Sequence, residues 1–122
     1  MIVVESFAAA RRASTGTVGL VPTMGYLHEG HLACVAAVRA ESDSVVMSIF
    51  VNPTQFGAGE DFGAYPRTLA ADSALIEAAG TVDLLFVPDA AEVYPFGIED
   101  AVRLQLPALS RELCGASRPA AR

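Results

Sequence analysis

The segment VPTMGYLHEGH, residues 21–31, decides the fold, because it has the composition of a tight turn between a strand and a helix. Thr17 to Val21 is a short apolar run that predicts a strand, and Pro22 is expected to end it. A helix is expected from about His31 to Glu41, where apolar residues recur at helical spacing. Ligands of open parallel sheets bind beyond the carboxyl ends of the strands, so a site is first expected in this turn.

The alternation of strands and helices continues on both sides of the turn. Ser6 predicts the N-cap of a helix over Phe7–Ala13. Ser44–Val51 is a nearly continuous β-branched run, typical of a strand buried on both faces. A helix capped at Thr68 and stopped at Gly80 is expected within residues 68–80, followed by a third strand over Val82–Val87. This order predicts an α/β fold: a parallel Rossmann-like nucleotide-binding sheet with flanking helices.

Length and composition fit one domain over residues 1–122. The chain has 122 residues, 52% of them hydrophobic, which is enough for a single core. Asn52 to Pro66 is rich in Gly and acidic residues and is expected to be a functional loop. The alternation in Val102–Leu106 predicts a half-exposed strand, and residues 108–122 are expected to be poorly packed.

Charge and hydropathy narrow the partners. The formal net charge is -6 and the basic residues are scattered, so no nucleic-acid partner is expected. No apolar run approaches the roughly 20 residues that cross a bilayer, so no membrane partner is expected either. A secretory signal is not recognisable, which makes a cytoplasmic location the expectation. Cys34 and Cys114 are then expected to be reduced.

The turn itself has the chemistry of an anion site. Gly25 and Gly30 permit backbone geometry and close approach that a side chain would block, and free amides are expected where the helix starts. His28 and His31 add side-chain donors. Such donors suit the charge that accumulates on a triphosphate when a phosphorus–oxygen bond breaks.

A metal site is the competing interpretation of the same residues. His28, His31 and Cys34 are spaced by three and include zinc-ligand types. However, residues at that spacing drift around a helix, no fourth ligand is evident, and Cys34 is expected to lie in the core among Ala and Val. The phosphate interpretation is therefore favoured, and no protein metal site is predicted.

Longer motifs carry a family resemblance. HEGH at residues 28–31 resembles the H-x-G-H signature of adenylate-forming and nucleotidyl-transferring α/β proteins. Together with SIFVNPTQFG at 48–57, YPRTL at 65–69 and VYP at 93–95, the stretch VPTMGYLHEGH resembles the pantothenate synthetase (pantoate-beta-alanine ligase) family. The resemblance covers nearly the whole chain, which corresponds to less than half of a typical member, its N-terminal part.

The resemblance implies a ligase of pantothenate biosynthesis, on the route to coenzyme A. The pantoate carboxylate would attack the α-phosphorus of ATP, pyrophosphate would leave, and β-alanine would then attack the pantoyl adenylate and release AMP. ATP would serve as substrate with Mg²⁺, and full-length members are expected to be homodimers. Residues 1–122 would form the N-terminal nucleotide- and pantoate-binding domain.

The resemblance also implies roles for individual residues. His31 and His28 are the expected catalytic residues. Gln55 is expected to bind pantoate and β-alanine, with Met24 and Asn52 also at the pantoate. Phe50 is expected to be a packing residue, and residues 65–67 to support the loop. The expected ATP-binding residues are Met24, Gly25, Tyr26, Leu27, His28, Glu29, Gly30 and His31.

The chain also departs from the family. The family's G-E-K-D and S-S-R-N motifs and its second pantoate-binding glutamine do not occur in the sequence, and Cys114 replaces a usual glutamate. A truncated reading frame, incomplete or inactive alone, is therefore expected. Two alternatives stay open: a non-catalytic remnant that binds pantoate or nucleotide, and another H-x-G-H nucleotidyltransferase.

Overall fold

The fold is built from short strands that alternate with helices. A computed structural model describes residues 1–57, 59–104, 106–108 and 112. The strands are β1 (Ile2–Val4), β2 (Val18–Thr23), β3 (Ser44–Ile49) and β4 (Leu84–Phe86). The helices are α1 (Phe7–Ala13), α2 (Glu29–Arg39), α3 (Leu69–Ala79) and α4 (Ala90–Val93), with 3-10 turns at Pro53–Gln55, Phe62–Ala64 and Ile98–Asp100.

The four strands form one parallel sheet in the order β1-β4-β3-β2. β3 lies inside the sheet, where Val21 pairs with Met47 and Met47 with Leu85. Because all strands run the same way, the carboxyl ends of β2, β3 and β4 meet at one edge. The predicted parallel α/β sheet with flanking helices is confirmed.

Both faces of the sheet are covered by apolar side chains. Val45 and Met47 point to one face and Val46 to the other, as the period of two requires. The first face packs against Val35 of α2 and Ile76 of α3. The second face packs against α1, which contacts β4. None of the helices in the described part of the chain has the length and apolar character that crossing a bilayer requires.

Helix ends follow their capping residues closely. Ser6 accepts from the Ala9 amide at 3.2 Å and begins α1, as predicted. Gly80 ends α3 in the left-handed region, with φ +65°, which glycine adopts without strain. α2 begins at Glu29, two residues earlier than expected, because the His28 side chain serves as its N-cap. It ends at Arg39, also two residues earlier than expected.

Three expectations about strands are corrected. Ile2–Val4 forms an unpredicted strand whose three residues are too few to show a period in the sequence. Pro22 does not end β2 but lies within it; β2 is an edge strand, where the missing N–H of proline is tolerated. Val102, Arg103, Leu104 and Leu106 lie in no strand, and Val102 is 95% exposed, so their alternation does not mark the face of a sheet. Gln105, residues 109–111 and residues 113–122, including Cys114, lie outside the described residues, as does most of the segment expected to pack poorly.

Cys34 is a further correction, because it is exposed rather than in the core. Its neighbour Val35 is fully buried against the sheet, and consecutive helical residues point in different directions. The Ala-rich composition of α2 concealed which side faces the sheet.

Candidate functional site

The turn after β2 crosses the edge where the strands end. The Thr23 hydroxyl donates to the Ser48 carbonyl at 2.8 Å and accepts from the Gly25 amide at 3.1 Å, which ties the turn to β3. Gly25 is buried with φ +80°, and Tyr26 follows with φ +54°. A Cβ on Gly25 would lie 3.1 Å from the Ile49 side chain, so this position requires glycine for both conformation and space.

The two imidazoles form a reciprocal capping box at the start of α2. His28 Nδ1 accepts from the Gly30 amide at 3.0 Å, and His31 Nδ1 accepts from the His28 amide at 3.2 Å. The ring centroids are 4.2 Å apart with a 53° tilt. His28 is exposed and His31 half-buried, so the predicted pair is brought together at the surface.

The surroundings of His31 favour its neutral form. Partial burial lowers the pKa of His31 below its ordinary value of 6.5, and the neighbouring His28 lowers it further. The Asp72 carboxylate acts in the opposite direction. Because the pKa of His31 is lower in the folded protein, the unfolded chain binds more protons below pH 6.5. The contribution of His31 to the free energy of unfolding therefore falls as the pH drops through 6.5 towards the folded-state pKa.

Asp72 of α3 is a site residue that the sequence analysis missed. It is 4% exposed, and its two oxygens accept from the amides of Tyr26 at 3.0 Å and Leu27 at 2.8 Å. The Thr68 hydroxyl donates to it at 3.1 Å. The signal available in the sequence was an acidic residue four positions before Ile76, which places a carboxylate on the buried face of the helix.

The loop after β3 is organised around Asn52. Its side-chain oxygen accepts from the Thr54 amide at 3.0 Å, the Thr54 hydroxyl at 2.8 Å and the Tyr94 hydroxyl at 2.8 Å. The Tyr94 ring also lies 6.3 Å from that of Phe50. Gln55 ends the 3-10 turn that this network supports, and its side chain is exposed, without a hydrogen bond to any other described residue.

Arg67 closes the far end of the same loop. Its guanidinium donates to the carbonyls of Phe62, Gly63 and Tyr65 at 3.0 to 3.5 Å and lies 5.2 Å from the centre of the Phe62 ring. Phe56 packs edge-on against Phe62 and Tyr65. These contacts agree with the supporting role expected for residues 65–67.

An apolar cavity of about 320 Å³ lies between the turn and the loop. Met24 and Gly25 are the predicted site residues that line it, whereas His28, His31, Asn52 and Gln55 do not. The cavity is lined by Met24, Gly25, Ile49, Phe50, Val51, Pro53, Phe62, Pro66, Arg67, Thr68, Leu69, Asp72, Val87, Pro88 and Ala90. The predicted residues thus lie in three places. His28 and His31 form a polar pair at the surface, Gln55 presents an exposed amide, and Met24 and Gly25 belong to the apolar wall of the cavity.

Metal ligands are not gathered at this edge. Within the described residues, no three His, Cys, Asp or Glu side chains are grouped as a metal would require. Asp72, the nearest buried carboxylate, has both oxygens occupied by hydrogen bonds. The competing zinc interpretation therefore finds no support in the geometry.

The protein is an α/β domain of the nucleotidyltransferase-like class. Its sheet is parallel, and the turn after β2 places the H-x-G-H residues at the N-terminus of α2. Comparison with known families makes the assignment specific. The chain belongs to the pantoate-beta-alanine ligase family, whose model matches residues 2–121. The resemblance drawn from the four motifs is confirmed.

Similar sequences carry the same family name. The pantothenate synthetase of Ectopseudomonas mendocina (strain ymp) is 57% identical over 111 residues, which are 91% of this chain and 39% of that protein. The pantothenate synthetase of Agrobacterium fabrum (strain C58 / ATCC 33970) is 56% identical over 115 residues, which are 94% of this chain and 38% of that protein. The chain therefore spans less than half the length of these curated relatives.

Solved structures agree on the fold. The pantothenate synthetase from Thermus thermophilus has a TM-score of 0.87 and 50% identity, over 99% of this chain and 44% of that one. The pantoate-beta-alanine ligase from Francisella tularensis, complexed with beta-gamma ATP and beta-alanine, has a TM-score of 0.85 and 35% identity, over 99% of this chain and 48% of that one.

Proposed function

We propose that this chain supplies the nucleotide-binding turn and the pantoate-binding loop of an enzyme that condenses pantoate with β-alanine, using ATP and forming a pantoyl adenylate. The family membership supports the reaction, and the geometry of the turn supports the part that this chain plays in it. Residues 1–122 are accordingly proposed to be one N-terminal nucleotide- and pantoate-binding domain.

The observation that carries the proposal is the tautomer that the backbone imposes on both imidazoles. Each Nδ1 accepts an amide hydrogen, so the proton of each neutral ring lies on Nε2. Neither Nε2–H group of His28 or His31 donates to another described residue. In the neutral form of the two rings, two oriented donors are therefore available to phosphate oxygens.

Such donors can stabilise the negative charge that develops on the phosphate oxygens in the first chemical step. A carboxylate oxygen of pantoate forms a bond to the α-phosphorus, the bond to the bridging oxygen breaks, and the electron pair leaves with pyrophosphate. No proton must be removed from the nucleophile, so catalysis depends on bringing two anions together and stabilising the departing charge. His31 and His28 are proposed to donate to those phosphate oxygens.

The acid substrate is proposed to lie beside Gln55. Pantoate carries a carboxylate, two hydroxyls and an apolar dimethyl carbon. The exposed Gln55 amide can donate to the carboxylate and accept from a hydroxyl, and the Asn52 amide nitrogen, which donates to no other described residue, can add a second donor. The apolar cavity beside Met24 suits the dimethyl carbon.

Magnesium is proposed to enter as part of the ATP substrate. Mg²⁺ commonly keeps several waters and is held through substrate phosphates with one or two carboxylates. The described residues gather no acidic cluster, so this part of the chain fits an ion that the phosphates hold rather than a dedicated protein cage. When bound, the ion would neutralise part of the phosphate charge.

The test is pantoate-dependent exchange of labelled pyrophosphate into ATP. We would measure it for a chimera in which this chain replaces the matching part of the Thermus thermophilus enzyme. Exchange is expected, and His31→Ala should lower its rate about 10²- to 10³-fold, because a donor to the transition state is lost. Cys34→Ser, on the exposed side of the same helix, is the matched control and should leave the rate unchanged. A folded chimera without exchange would reject the proposal.

Binding without turnover is the second candidate for the chain alone. It is favoured by the chain's coverage of only 38% to 39% of its relatives. Calorimetry that detects ATP or pantoate binding to the isolated chain, with no pyrophosphate exchange, would support it. Exchange by the isolated chain would contradict it.

We further propose that the full-length enzyme is a cytoplasmic homodimer. This follows the family resemblance rather than a contact in the described residues. Sedimentation of the chimera at the mass of two chains would support the assembly, and a monomer at micromolar concentration would contradict it.

A further inference from the structure

Asp72 is a buried carboxylate that the proposed chemistry does not use. Among the described residues, Asp72 and Ser44 are the polar side chains in the buried class, and Asp72 is the charged one. A buried charge is retained in a fold only when its partners compensate its desolvation. Its partners therefore indicate what it is for.

All partners of the Asp72 carboxylate are donors, and two of them belong to the turn. One oxygen accepts from the Leu27 amide, and the other accepts from the Tyr26 amide and the Thr68 hydroxyl. A carboxylate accepts at both oxygens, whereas an asparagine would present a donor to one of these N–H groups. The arrangement thus requires an acid at residue 72.

By accepting hydrogen bonds from two amides of the turn, Asp72 limits which amides are available to donate to a ligand. The amides of Tyr26 and Leu27 are occupied by Asp72, and those of Gly25, His28 and Gly30 by other groups of the turn. Within residues 24–31, this leaves the amides of Met24 and Glu29 without a partner among the described residues. Backbone contacts of Met24, Gly25 and Gly30 with ATP stay a prediction.

The bonds to Asp72 begin where the turn is most constrained. Gly25 and Tyr26 both have positive φ. Among the described residues, Tyr26 is the one residue other than glycine in that region. A side chain in that region is uncommon and is retained where its surroundings fix it. Thr68, the N-cap residue of α3, makes no capping bond with its side chain and turns its hydroxyl to Asp72.

We propose that Asp72 is the positioning residue of the phosphate turn: from α3, its carboxylate holds the Tyr26 and Leu27 amides and thereby sets the path into α2 that aligns His28 and His31. The inference rests on the proposed function where it concerns ATP. The fixed turn itself follows from the hydrogen bonds alone.

The test compares Asp72→Asn with Glu77→Gln in this chain. Glu77 is an exposed acid of the same helix and serves as the matched charge control. In Asp72→Asn, we expect faster hydrogen exchange at the Tyr26 or Leu27 amide by NMR, and ATP binding about 10- to 100-fold weaker by calorimetry. Glu77→Gln should leave both measurements at the wild-type values.

The titration of His31 gives a second readout, which reports the charge of Asp72 at the imidazole. Asp72 raises the pKa of His31 against the lowering by burial and by His28. Removing the charge should therefore shift the titration of the His31 ring to lower pH in NMR spectra of Asp72→Asn, and Glu77→Gln should leave it in place.

The outcomes separate this inference from the proposed function. A folded Asp72→Asn protein with wild-type amide exchange and ATP affinity would overturn the inference and leave the proposed function intact. If the wild-type chain does not bind ATP, the proposed function is weakened for the isolated chain, and amide exchange still decides whether Asp72 holds the turn. If Asp72→Asn does not fold, Thr68→Val decides: about threefold weaker ATP binding, restored in Thr68→Ser, supports the inference, and wild-type exchange and affinity overturn it.

Discussion

Two connections leave the same edge of the sheet, and they are built differently. The turn after β2 occupies residues 24–28, and its amides from Gly25 to His28 are held by Thr23, Asp72 and His31. The loop after β3 runs from Phe50 to Thr68 and is fixed near its two ends, by Asn52 and by Arg67. Its predicted ligand residue, Gln55, hydrogen-bonds to no described residue through its side chain.

The difference suggests a division of labour in the proposed site. The phosphate turn is preorganised by bonds within the chain, so its geometry should not depend on ligand. In the proposed site, the orientation of the Gln55 side chain would be set by the bound acid. Binding to a preformed site costs less ordering entropy than binding that must fix a side chain. Stability and binding should therefore respond differently to substitutions in the two connections.

The largest effect on stability is expected for Gly25→Ala. The new Cβ would lie 3.0 Å from an Asp72 oxygen and 3.1 Å from Ile49, at φ +80°. We expect the free energy of unfolding in urea to fall by about 2 to 4 kcal/mol. Gly80→Ala is the matched control, because φ is +65° but nothing lies within 4 Å, and it should cost about 1 kcal/mol. Equal losses would show that crowding against Asp72 is unimportant.

A smaller effect is expected for Asn52→Ala in the second connection. The substitution leaves the Thr54 amide, the Thr54 hydroxyl and the Tyr94 hydroxyl without their acceptor. The free energy of unfolding should fall by about 1 to 3 kcal/mol. Asn52→Asp keeps an oxygen acceptor and should recover most of the loss. A loss in Asn52→Ala no larger than that in Tyr94→Phe, which removes one of the three donors, would contradict the role of Asn52 as the hub.

Sequence reasoning succeeded where the signal is local. The apolar run from Ser44, the stop at Gly80 and the cap at Ser6 each depend on residues close in the chain. The stop and the cap are found as predicted, and the strand begins at Ser44 as predicted but ends at Ile49 rather than Val51. The pairing of His28 with His31 is local too, since three residues separate them. These features were sufficient for the α/β class and the position of the turn.

The missed features depend on contacts that no local pattern encodes. Asp72 meets Tyr26 and Leu27 across sequence separations of 46 and 45 residues. Pro22 could lie within a strand because β2 is at the sheet edge, which the sequence does not state. His28 is an unusual N-cap, so the start of α2 was placed two residues late. In each case tertiary structure outweighed the local preference.

The smallest effect on stability, and the sharpest test of the comparison, is expected for Gln55→Ala. Because the side chain is exposed and without a described partner, the free energy of unfolding should change by no more than about 0.5 kcal/mol. Calorimetry should nevertheless show weaker pantoate binding and unchanged ATP binding, since only the acid half loses a donor. If a substitution leaves the free energy of unfolding unchanged but weakens the binding of one ligand, the side chain contributes to binding rather than to folding. If Gln55→Ala instead unfolded the chain as readily as Gly25→Ala, the second connection would be as internally braced as the first, and the proposed division between them would be wrong.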